Sequence, residues 1–388
     1  MKEGWNEIKL EDVATCQIGL TYKPTDVVDE GGTIVLRSSN IQDSKIALND
    51  LVRVNCDITP SKYVKDGDIL MCSRNGSFRL VGKVAKINKL AESMSFGAFM
   101  TIIRSKYNDF LFYFFQSQSF RKQIFVGQTA TINQITTKML NNTHVNIPPL
   151  SEQQHIVEEL ELLSSILEKK KAQLNELDNL AQSLFYEMFG DPINNEKGWK
   201  EKRLDEVCDV RDGTHDSPKY VIESDYVLIT SKNIQDGELS FNNVNYITKE
   251  DYDKINVRSY VDDGDIIMAM IGTIGKPIII KKCGKKFGIK NVALLKFRES
   301  HDVINVYVKS MLDNPTYMKY LHSLNRGGTQ KFLSLKTIRN LPILLPPLYL
   351  QNQFASKIEA IEHQKELIKQ SIKEVETLFN SRMDYYFN

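Results

Sequence analysis

The second half of this chain repeats the first, and that repetition constrains the fold more than any other feature. The segment GWNEIKLEDV at residue 4 returns as GWKEKRLDEV at residue 198. Three further pairs recur in the same order, and they are SNIQD at 39–43 with KNIQD at 232–236, YVKDGDI at 63–69 with YVDDGDI at 260–266, and PPL at 148–150 with PPL at 346–348. The four offsets are 194, 193, 197 and 198 residues, so only small insertions separate the copies. A period near half of the 388 residues is too long for a solenoid and predicts two tandem domains, each large enough to bury its own core.

Most of each copy mixes short β-type runs with glycine and asparagine turns and a few helical pieces. The clearest β-type runs are residues 33–36, 68–72, 278–280 and 292–297. Because short strands here alternate with turns and helical segments, we expect an α+β fold in both copies.

The pattern changes after each Pro-Pro-Leu, where apolar residues recur at spacings of three and four. The first seam holds Ile156, Leu160, Leu163, Leu167, Leu174, Leu177, Ala181, Leu184 and Met188, and the second holds Phe354, Ile358, Ile361, Ile368, Ile372, Val375 and Phe379. Lys170 and Lys365 take seam positions near the middles of these stretches. Seams of about five and four heptads predict two long helices that pair as a coiled coil. The lysines either fix the register of the pair or extend their charged ends past its edge into water.

The predicted architecture is a domain, a long helix, a second domain and a second long helix. We place the first domain at residues 1–149, its helix at 150–190, the second domain at 191–346 and its helix at 347–388. Each helix starts beyond a Pro-Pro pair, and Gly190 followed by Asp191-Pro192 ends the first. A helix of about 35 residues is roughly 50 Å long. Antiparallel pairing would then place two pseudo-twofold-related domains at opposite ends of a rod.

Cysteine usage and charge narrow the cellular setting. The five cysteines form no CxxC pair, and their odd number argues against a disulfide framework and fits the reducing cytoplasm. No signal-peptide core and no run approaching 18 apolar residues occurs, so we expect neither secretion nor a membrane location. The net charge is +1, but the two helical stretches together carry −6, which leaves +7 on the two domains. This modest positive bias lies where contacts with DNA phosphates would be made.

Taken in order, these features resemble the specificity subunit of type I restriction–modification enzymes over nearly the whole chain. The resemblance is carried by the opening GW-xxxx-L of each copy, by the strand region from Gly264-Asp265-Ile266 to Gly272 and Gly275, and by the blocks that close each domain. Those blocks read TINQITTKMLNNTHVNIPPLSEQQ from residue 131 and TQKFLSLKTIRNLPILLPPLYLQNQ from residue 329. The segment DGTH at 212–215, followed by SP at 217–218, is similar to part of one group of target-recognition domains.

The resemblance implies a non-catalytic, DNA-binding protein whose two target-recognition domains each read one half of an asymmetric bipartite target in double-stranded DNA. The helices would set the spacing of the halves and dock two methyltransferase (modification) subunits, with restriction (nuclease–translocase) subunits outside them. S-adenosylmethionine, ATP and Mg²⁺ would belong to those partners, and this chain would hold no cofactor or metal. One departure is that the second helix opens with Tyr349-Leu350-Gln351 where the first has an acidic residue, Glu152.

Catalytic motifs are absent from the pattern of residues. Residues 146–150, NIPPL, lack both the spacing and the aromatic residue of an amino-methyltransferase motif. Met270 and Pro277 stand where a P-loop needs a glycine and a hydroxyl. No HExxH occurs, and the six histidines are dispersed. We interpret GTIG at 272–275 as a tight turn between strands and not as a cofactor loop.

Candidate DNA contacts are residue types that read bases or bind phosphates: Arg and Lys for guanine, Asn and Gln for adenine, and hydroxyls for either. In the first domain they are Arg37, Ser38, Ser39, Arg74, Asn75, Ser77, Arg79, Gln128, Thr131 and Asn133. In the second domain they are Arg211, Thr214, His215, Lys219, Ser231, Lys232, Thr273, Lys276, Lys290, Asn291, Gln330 and Lys331. Arg74 and Arg79 have no counterpart in the second copy, which is what base-reading residues should show.

Other polar residues have structural or docking interpretations. Asn40 and Asn233 recur in the NIQD landmark, and we interpret them as parts of a turn common to both domains. On the helices, the candidates for contact with partner subunits are Glu152, Gln153, Gln154 and the faces around Lys169 and Lys369.

Two other functions remain open from the residues alone. A coiled-coil protein adaptor would show no salt-dependent affinity for DNA. An unrecognised DNA-modifying enzyme would turn over as the purified chain. Residue types do not identify the target bases or the spacer length, because readout also depends on loop geometry and DNA shape.

Overall fold

The computed structural model describes residues 4–89, 92–125, 133–235, 237–272, 274–281, 284–324 and 332–388. These residues form two compact units, one made of Met1–Lys171 with Gln370–Asn388 and the other of Ala172–Lys369. Both units combine strands with helices, so the predicted α+β class is confirmed.

The first unit contains two four-stranded sheets and two pairs of strands. Its strands are β1 (Asn6–Lys9), β2 (Thr15–Ile18), β3 (Val27–Val28), β4 (Thr33–Leu36), β5 (Ile41–Gln42), β6 (Lys45–Ile46), β7 (Arg53–Val54), β8 (Ile69–Cys72), β9 (Val84–Lys86), β10 (Met94–Phe96), β11 (Met100–Arg104) and β12 (His144–Ile147). Its helices are α1 (Leu10–Val13), α2 (Asn108–Phe114), α3 (Gln118–Phe125), α4 (Thr137–Asn141) and the first part of α5 (Leu150–Phe189). The sheets have the strand orders β2-β11-β8-β9 and β10-β4-β7-β3, and the pairs are β1-β12 and β5-β6.

In the sheet β2-β11-β8-β9, strand β8 is buried on both faces, and its unbroken apolar sequence suits that position. Ile69, Leu70, Met71 and Cys72 are all fully buried. Since side chains alternate across a strand, Ile69 and Met71 join a core with the short helices, whereas Leu70 and Cys72 join a core with the second sheet.

The second unit repeats this plan. Its strands are β13 (Lys200–Arg203), β14 (Asp209–Asp212), β15 (Tyr220–Val221), β16 (Tyr226–Ile229), β17 (Ile234–Gln235), β18 (Glu238–Leu239), β19 (Asn245–Ile247), β20 (Ile266–Ala269), β21 (Gly275–Ile279), β22 (Lys286–Ile289), β23 (Val292–Lys296) and β24 (Pro342–Leu345). Its helices are α6 (Leu204–Val207), α7 (Lys249–Ser259), α8 (Asn305–Leu312), α9 (Pro315–Ser323), α10 (Leu335–Arg339) and most of α11 (Leu348–Phe387), with the end of α5. The sheets are β14-β23-β20-β21 and β15-β19-β16-β22. The second sheet of each unit includes a parallel pair of strands, which is β4 with β10 in the first unit and β16 with β22 in the second.

The two long helices begin directly after their Pro-Pro pairs, as predicted. The first ends at Phe189, and Gly190 follows with a φ of +78°, a left-handed conformation that suits glycine. In the first unit, Ile156 and Leu160 of α5 share a core with Met383 and Tyr386 of α11. The predicted apolar seam is thus buried where the helices meet the domain core.

Within the second unit the helix segments run antiparallel. Asp178 Oδ1 of α5 lies 2.8 Å from Lys365 Nζ of α11. Eleven residues later on α5, the ring of Phe189 contacts that of Phe354, which lies earlier on α11, with centroids 5.2 Å apart. Lys365 also pairs with Glu362 at 2.9 Å, and its side chain is only 17% exposed. The seam lysine is therefore held by carboxylates on both helices and does not simply extend into water.

None of the described helices combines the length and the apolar character needed to cross a lipid bilayer.

Candidate nucleic-acid interface

A buried asparagine builds the same turn after β4 and after β16. Asn40 Oδ1 accepts a hydrogen bond from the Arg37 backbone N–H at 2.8 Å, and its Nδ2 donates to the carbonyl seven residues later at 2.9 Å. Asn233 Oδ1 accepts from the Thr230 backbone N–H at 3.0 Å, and its Nδ2 donates to the carbonyl seven residues later at 3.3 Å. The structural interpretation of both asparagines is confirmed, because buried amides with both ends satisfied have nothing left for DNA.

A glycine in each unit lets two loops lie against each other. A Cβ on Gly19 would come within 2.2 Å of the Gly97 carbonyl oxygen, and a Cβ on Gly213 within 2.4 Å of the Ile289 carbonyl oxygen. No side chain fits such distances, so both positions require glycine. In the first unit the loop after β2 therefore lies against the loop before β11, and in the second unit the loop after β14 lies against the loop before β23.

In the first unit Arg74 stacks on an exposed aromatic ring. Its guanidinium carbon lies 5.3 Å from the centre of the Phe99 ring, and its backbone N–H donates to the Phe99 carbonyl at 3.0 Å. Phe99 is 57% exposed, and Arg74 is exposed as well. Stacking on a ring orients the planar guanidinium while its N–H donors stay available for a bidentate acceptor.

Asn75 ties this loop to the turn after β4. Its Nδ2 donates to Ser38 Oγ at 3.0 Å, and its Oδ1 accepts from the Ser77 backbone N–H at 2.9 Å. Asn133 Nδ2 donates to the Gly76 carbonyl at 3.0 Å and so joins the same loop. The structure therefore brings Ser38, Asn75, Ser77 and Asn133 together, as the candidate site requires.

The other first-unit candidates differ in how available they are. Arg37 is engaged, because its Nη2 lies 2.9 Å from Asp50 Oδ2 and its Nε is buried. Arg79 and Ser39 are exposed, and Arg79 forms no ion pair with any described residue. Phe78, beside Arg79, is 48% exposed.

In the second unit a buried aspartate organises the exposed loops. Asp212 Oδ2 lies 2.9 Å from His215 Nε2, and Arg258 Nη2 donates to the other oxygen of Asp212. His215 Nδ1 lies 3.0 Å from Asn291 Oδ1. These hydrogen bonds, first that to Asp212 and then that to Asn291, raise the pKa of His215 above its ordinary value. The cluster therefore favours a positively charged imidazole at the loop surface.

Two further candidates lie beside this cluster. Lys290 Nζ donates to Ser217 Oγ at 2.6 Å. Thr214 donates its backbone N–H to the Ile289 carbonyl at 2.9 Å, and its hydroxyl accepts from the Asp216 backbone N–H at 3.1 Å. Their side chains thus shape the same pair of loops that hold His215 and Asn291.

Arg211 is less available than its neighbours. Its Nε donates to Asp209 at 2.8 Å, and its Nη1 donates to the Arg258 carbonyl at 3.0 Å. The remaining described candidates of this unit form no side-chain hydrogen bond or ion pair with the described residues of the His215 cluster: Lys219, Lys232 and Lys276 are exposed, and Ser231 is half-buried in the turn. Gln128, Thr131, Thr273, Gln330 and Lys331 lie outside the described residues.

The helix starts correct one prediction. Gln153 is 6% exposed, and its Nε2 donates to the Pro148 carbonyl at 2.8 Å. Gln351 is fully buried at the equivalent position and donates to the Pro346 carbonyl at 2.8 Å. Because this amide secures the Pro-Pro turn in both copies, the prediction that Gln153 contacts a partner subunit is wrong.

The other helix candidates are more accessible. Glu152 is half-buried and accepts from Trp5 Nε1 at 3.0 Å, whereas Gln154 and Lys169 are exposed. Lys369 Nζ forms an ion pair of 2.6 Å with Glu238.

Two residues that reasoning from residue types missed lie at the centre of these surfaces: Phe99 and Arg258. Phe99 directly precedes β11, as the sequence candidate Asn291 directly precedes β23, so aligning the two copies on these strands would have matched Phe99 to Asn291. Arg258 stands just before the repeated Tyr-Val landmark at residue 260. The first unit's loop after Gly19 was also missed, although it is equivalent to the segment that begins at Gly213.

The described side chains suit binding better than catalysis. No group of three or more His, Cys, Asp or Glu residues in the described part of the chain is placed to hold a metal ion. Burial raises the pKa of Cys72 to about 11 and that of Cys16 and Cys208 to about 12, so these thiols stay protonated near neutral pH. What the loops present are cations, amides, hydroxyls and an exposed ring, the groups that contact bases and phosphates.

A sequence model described as the type I restriction modification DNA specificity domain matches the chain twice, at residues 2–179 and 196–377. The two matches coincide with the two copies of the repeat. Together they span most of the chain.

Similar proteins of known name cover almost the full length. The EcoKI specificity subunit of Escherichia coli K12, a type I restriction enzyme, is 24% identical over 93% of this chain and 82% of its own length. The putative type I restriction enzyme MjaX specificity subunit of Methanocaldococcus jannaschii is 23% identical over 96% of this chain and 90% of its own.

Solved structures share the fold. The S subunit of a type I restriction–modification system from M. genitalium matches with a TM-score of 0.56 and 13% identity, over 99% of this chain and 96% of that one. A chain from a structure of type I R-M complex assembly and conformational transition matches with a TM-score of 0.55 and 18% identity, over 100% of this chain and 98% of that one.

Proposed function

This chain belongs to the family of type I restriction modification DNA specificity proteins, and from that membership we propose that it reads an asymmetric bipartite target in double-stranded DNA, one half with each unit. It is a non-catalytic specificity subunit, and the catalytic activities of such systems lie in partner subunits. S-adenosylmethionine, ATP and Mg²⁺ would accordingly be bound by those partners, in the cytoplasm where the DNA is.

The observation that carries the proposal is that one backbone frame presents different side chains in the two units. The backbone of Arg74 forms an antiparallel β-bridge with that of Gln134, and at the equivalent β-bridge the second unit pairs Ile271 with Phe332. The first unit therefore presents a stacked arginine where the second presents an aliphatic residue. Direct readout depends on side-chain type at base edges, so equal frames with unequal side chains suit two unlike half-sites.

A second observation supports the docking of two similar methyltransferase subunits. Leu150 and Leu378 are 67% and 49% exposed on the helix segments of the first unit. The residues equivalent to them at the 198 offset, Leu348 and Leu180, are 41% and 46% exposed on the helix segments of the second. Exposed leucines repeated on both units mark a surface that two copies of one partner would cover.

The reading of DNA is tested by mapping methylated adenines. The chain would be co-produced with its methyltransferase subunit, and methylation would be located across a genome by single-molecule sequencing. We expect a two-part motif with an unspecified spacer. Exchanging residues 1–149 for those of another specificity subunit should change one half of that motif and leave the other half intact.

The contrary outcomes are distinct. A methylation motif indifferent to the exchange would refute the assignment of one half to each unit. No methylation, with a stable complex but no DNA binding at any salt concentration, would favour the protein-adaptor function instead.

Docking is tested by counting partner copies. Leu150→Glu and Leu348→Glu each place a charge on one of the two equivalent surfaces, and native mass spectrometry of the complex counts the methyltransferase subunits. We expect either variant to lose one copy and the double variant to lose both. Leu162→Glu is the matched control, because Leu162 is also exposed but its equivalent at the 198 offset is Ala360. Two retained copies in the double variant would refute this surface.

A further inference from the structure

We propose that Asn291 is a base-reading residue of the second unit, and that His215 is the positioning residue that decides which end of the Asn291 amide faces the DNA. The inference rests on the proposed function, because it assigns a specificity role within the same DNA-reading surface. It predicts a base preference of that half-site that depends on the protonation of one imidazole.

The position of Asn291 is the first argument. Val292 pairs with Ala269 of the central strand, as Met100 pairs with Cys72 in the first unit, so Asn291 and Phe99 hold equivalent places. Both lie at the tip of a loop between two strands that the fold requires. The frame is the same while the tip residue differs, as expected of a specificity determinant.

The second argument is that a neighbouring side chain orients each of these two loop residues. Phe99 lies under the guanidinium of Arg74, and Asn291 Oδ1 lies 3.0 Å from His215 Nδ1. Each tip is therefore kept in one orientation by a neighbouring side chain. Asn291 Nδ2 donates to none of the described residues, so its two hydrogens remain for a ligand.

The tautomer of His215 is the third argument. Its Nε2 faces the Asp212 carboxylate at 2.9 Å, and that side chain is only 7% exposed and also accepts from Arg258, so Nε2 carries a hydrogen. In the imidazolium Nδ1 is a donor as well, and Asn291 turns its oxygen inward and its NH₂ outward. In the neutral imidazole Nδ1 is an acceptor, and the amide reverses to present its oxygen.

The charges around His215 favour the imidazolium. Asp212 on β14 and the amide oxygen of Asn291 raise the pKa of His215, whereas Arg258 at the end of α7 lowers it. The neighbouring loops also carry Asp216 and Lys290, the latter donating to Ser217 Oγ at 2.6 Å. With the imidazolium, the outward group of Asn291 is the donor NH₂, which matches the acceptor edge of guanine (N7 and O6) in the major groove.

The first experiment uses the complex with its methyltransferase and the motif found for the wild-type chain. Binding to duplexes changed one base pair at a time gives the discrimination at every position. We expect Asn291→Ala to lose roughly tenfold discrimination at one guanine of one half-site, since a lost base contact of this size is about 1.4 kcal/mol. Phe99→Ala, its structural equivalent, should relax a position in the other half only.

The second experiment follows pH, which a merely structural role for His215 would not couple to base identity. At about pH 6 the wild-type complex should prefer guanine, and at about pH 9 the preference should shift toward bases with an exocyclic amine at that edge. His215→Lys keeps a permanent donor to Asp212 and Asn291, so its preference should stay with guanine at both pH values. Thermal melting of each variant verifies that the second unit is folded.

The outcomes separate this inference from the function on which it rests. If the wild-type chain directs a bipartite motif but folded Asn291→Ala keeps every preference within about twofold, Asn291 is not a base reader and the inference fails alone. If preferences change with Asn291→Ala but follow pH equally in His215→Lys, the positioning role of His215 is refuted. If no motif exists at all, the proposed function fails and takes the inference with it.

Discussion

At the scale of single residues, the sequence repeat identified the structural asparagines but not the exposed aromatic residue Phe99. Asn40 and Asn233 were predicted to be structural because both copies keep them, and each satisfies its amide in the same turn. Phe99 escaped prediction because an aromatic residue is outside the donor and acceptor types used to choose candidates. Its partner Arg74 lies 25 residues earlier, and only strand pairing brings the two together. Contacts set by sheet register are not visible in a linear pattern.

The imidazole of His215 gives a prediction on pH and stability. Its pKa is raised above the unfolded value, which is about 6.5. A raised pKa means that the charged form stabilises the folded state, so the contribution is complete below about pH 6.5 and disappears as the pH rises through the raised value. We expect NMR titration to place the pKa of His215 above that of an unperturbed histidine side chain, and Asp212→Asn to lower it.

Stability measurements check the same linkage. His215→Gln should flatten this part of the pH dependence of the unfolding free energy, while His363→Gln on the exposed face of α11 should leave it unchanged. An unaltered pH profile in His215→Gln would show that Asp212 does not hold the imidazolium.

The buried amide of Gln351 gives a second prediction. It donates to the Asp302 and Pro346 carbonyls at 2.9 and 2.8 Å and accepts from the Ile304 backbone N–H at 3.1 Å. Gln351→Ala leaves these buried carbonyls and the buried N–H without hydrogen-bond partners. We therefore expect the free energy of unfolding to fall by about 2 kcal/mol or more. Urea denaturation measures the loss, and Asn352→Ala at the next, exposed position is the control. Equal stability of both variants would show that the amide is not needed.

Among the elements, the long helices were the most predictable. Their heptad seams and Pro-Pro starts placed α5 and α11 within a residue of their observed first positions, Leu150 and Leu348. Helix α7 was not predicted, because its sequence KEDYDKINVRS is mostly polar and carries little periodicity. Its start is nevertheless capped, since the Thr248 hydroxyl accepts from the Asp251 backbone N–H at 3.1 Å. A single cap is too common a signal to identify a short polar helix.

The aromatic contact between α5 and α11 sets the stability of the second unit. Phe354 is fully buried against Phe185 and Phe189, with ring centroids 5.8 and 5.2 Å away. Phe354→Ala should lower the free energy of unfolding by about 3–5 kcal/mol, because a large cavity opens where Phe185 and Phe189 lose a common neighbour. Tyr349→Ala, on the same helix but 62% exposed, should change it little. Denaturant titration distinguishes the two, and a loss below about 1 kcal/mol in Phe354→Ala would contradict the packing.

The ion pair in the helix seam predicts effects of opposite sign. Lys365→Leu places an apolar residue in the seam and leaves Asp178, whose side chain is 53% exposed, in water, so the Tm should rise. Asp178→Ala leaves a lysine that is only 17% exposed without its partner on the other helix, so the Tm should fall. Differential scanning calorimetry reads both, and shifts of the same sign would show that the pair has no such role.

At the scale of the whole molecule, charge limits what the isolated chain can bind. The two domains carry +7 by sequence, and several of their cations are committed to neighbouring carboxylates, including Arg37 with Asp50 and Arg211 with Asp209. We expect the isolated chain to bind DNA more weakly than about 1 µM at about 0.15 M salt, and far more tightly with its methyltransferase subunits. Fluorescence anisotropy across salt concentrations measures both. Nanomolar binding by the isolated chain would refute this expectation.

The first unit is built from two separate chain segments, and this affects the order in which the two units can fold during synthesis. That unit is completed by Gln370–Asn388, which places Met383 and Tyr386 in its core, whereas the second unit consists of Ala172–Lys369. On a ribosome the later half of the gene therefore supplies a foldable unit before the earlier half can close its own. Until residues 370–388 have been synthesised, the nascent first half keeps an unfilled apolar site, which makes it the part most exposed to chaperones and proteases.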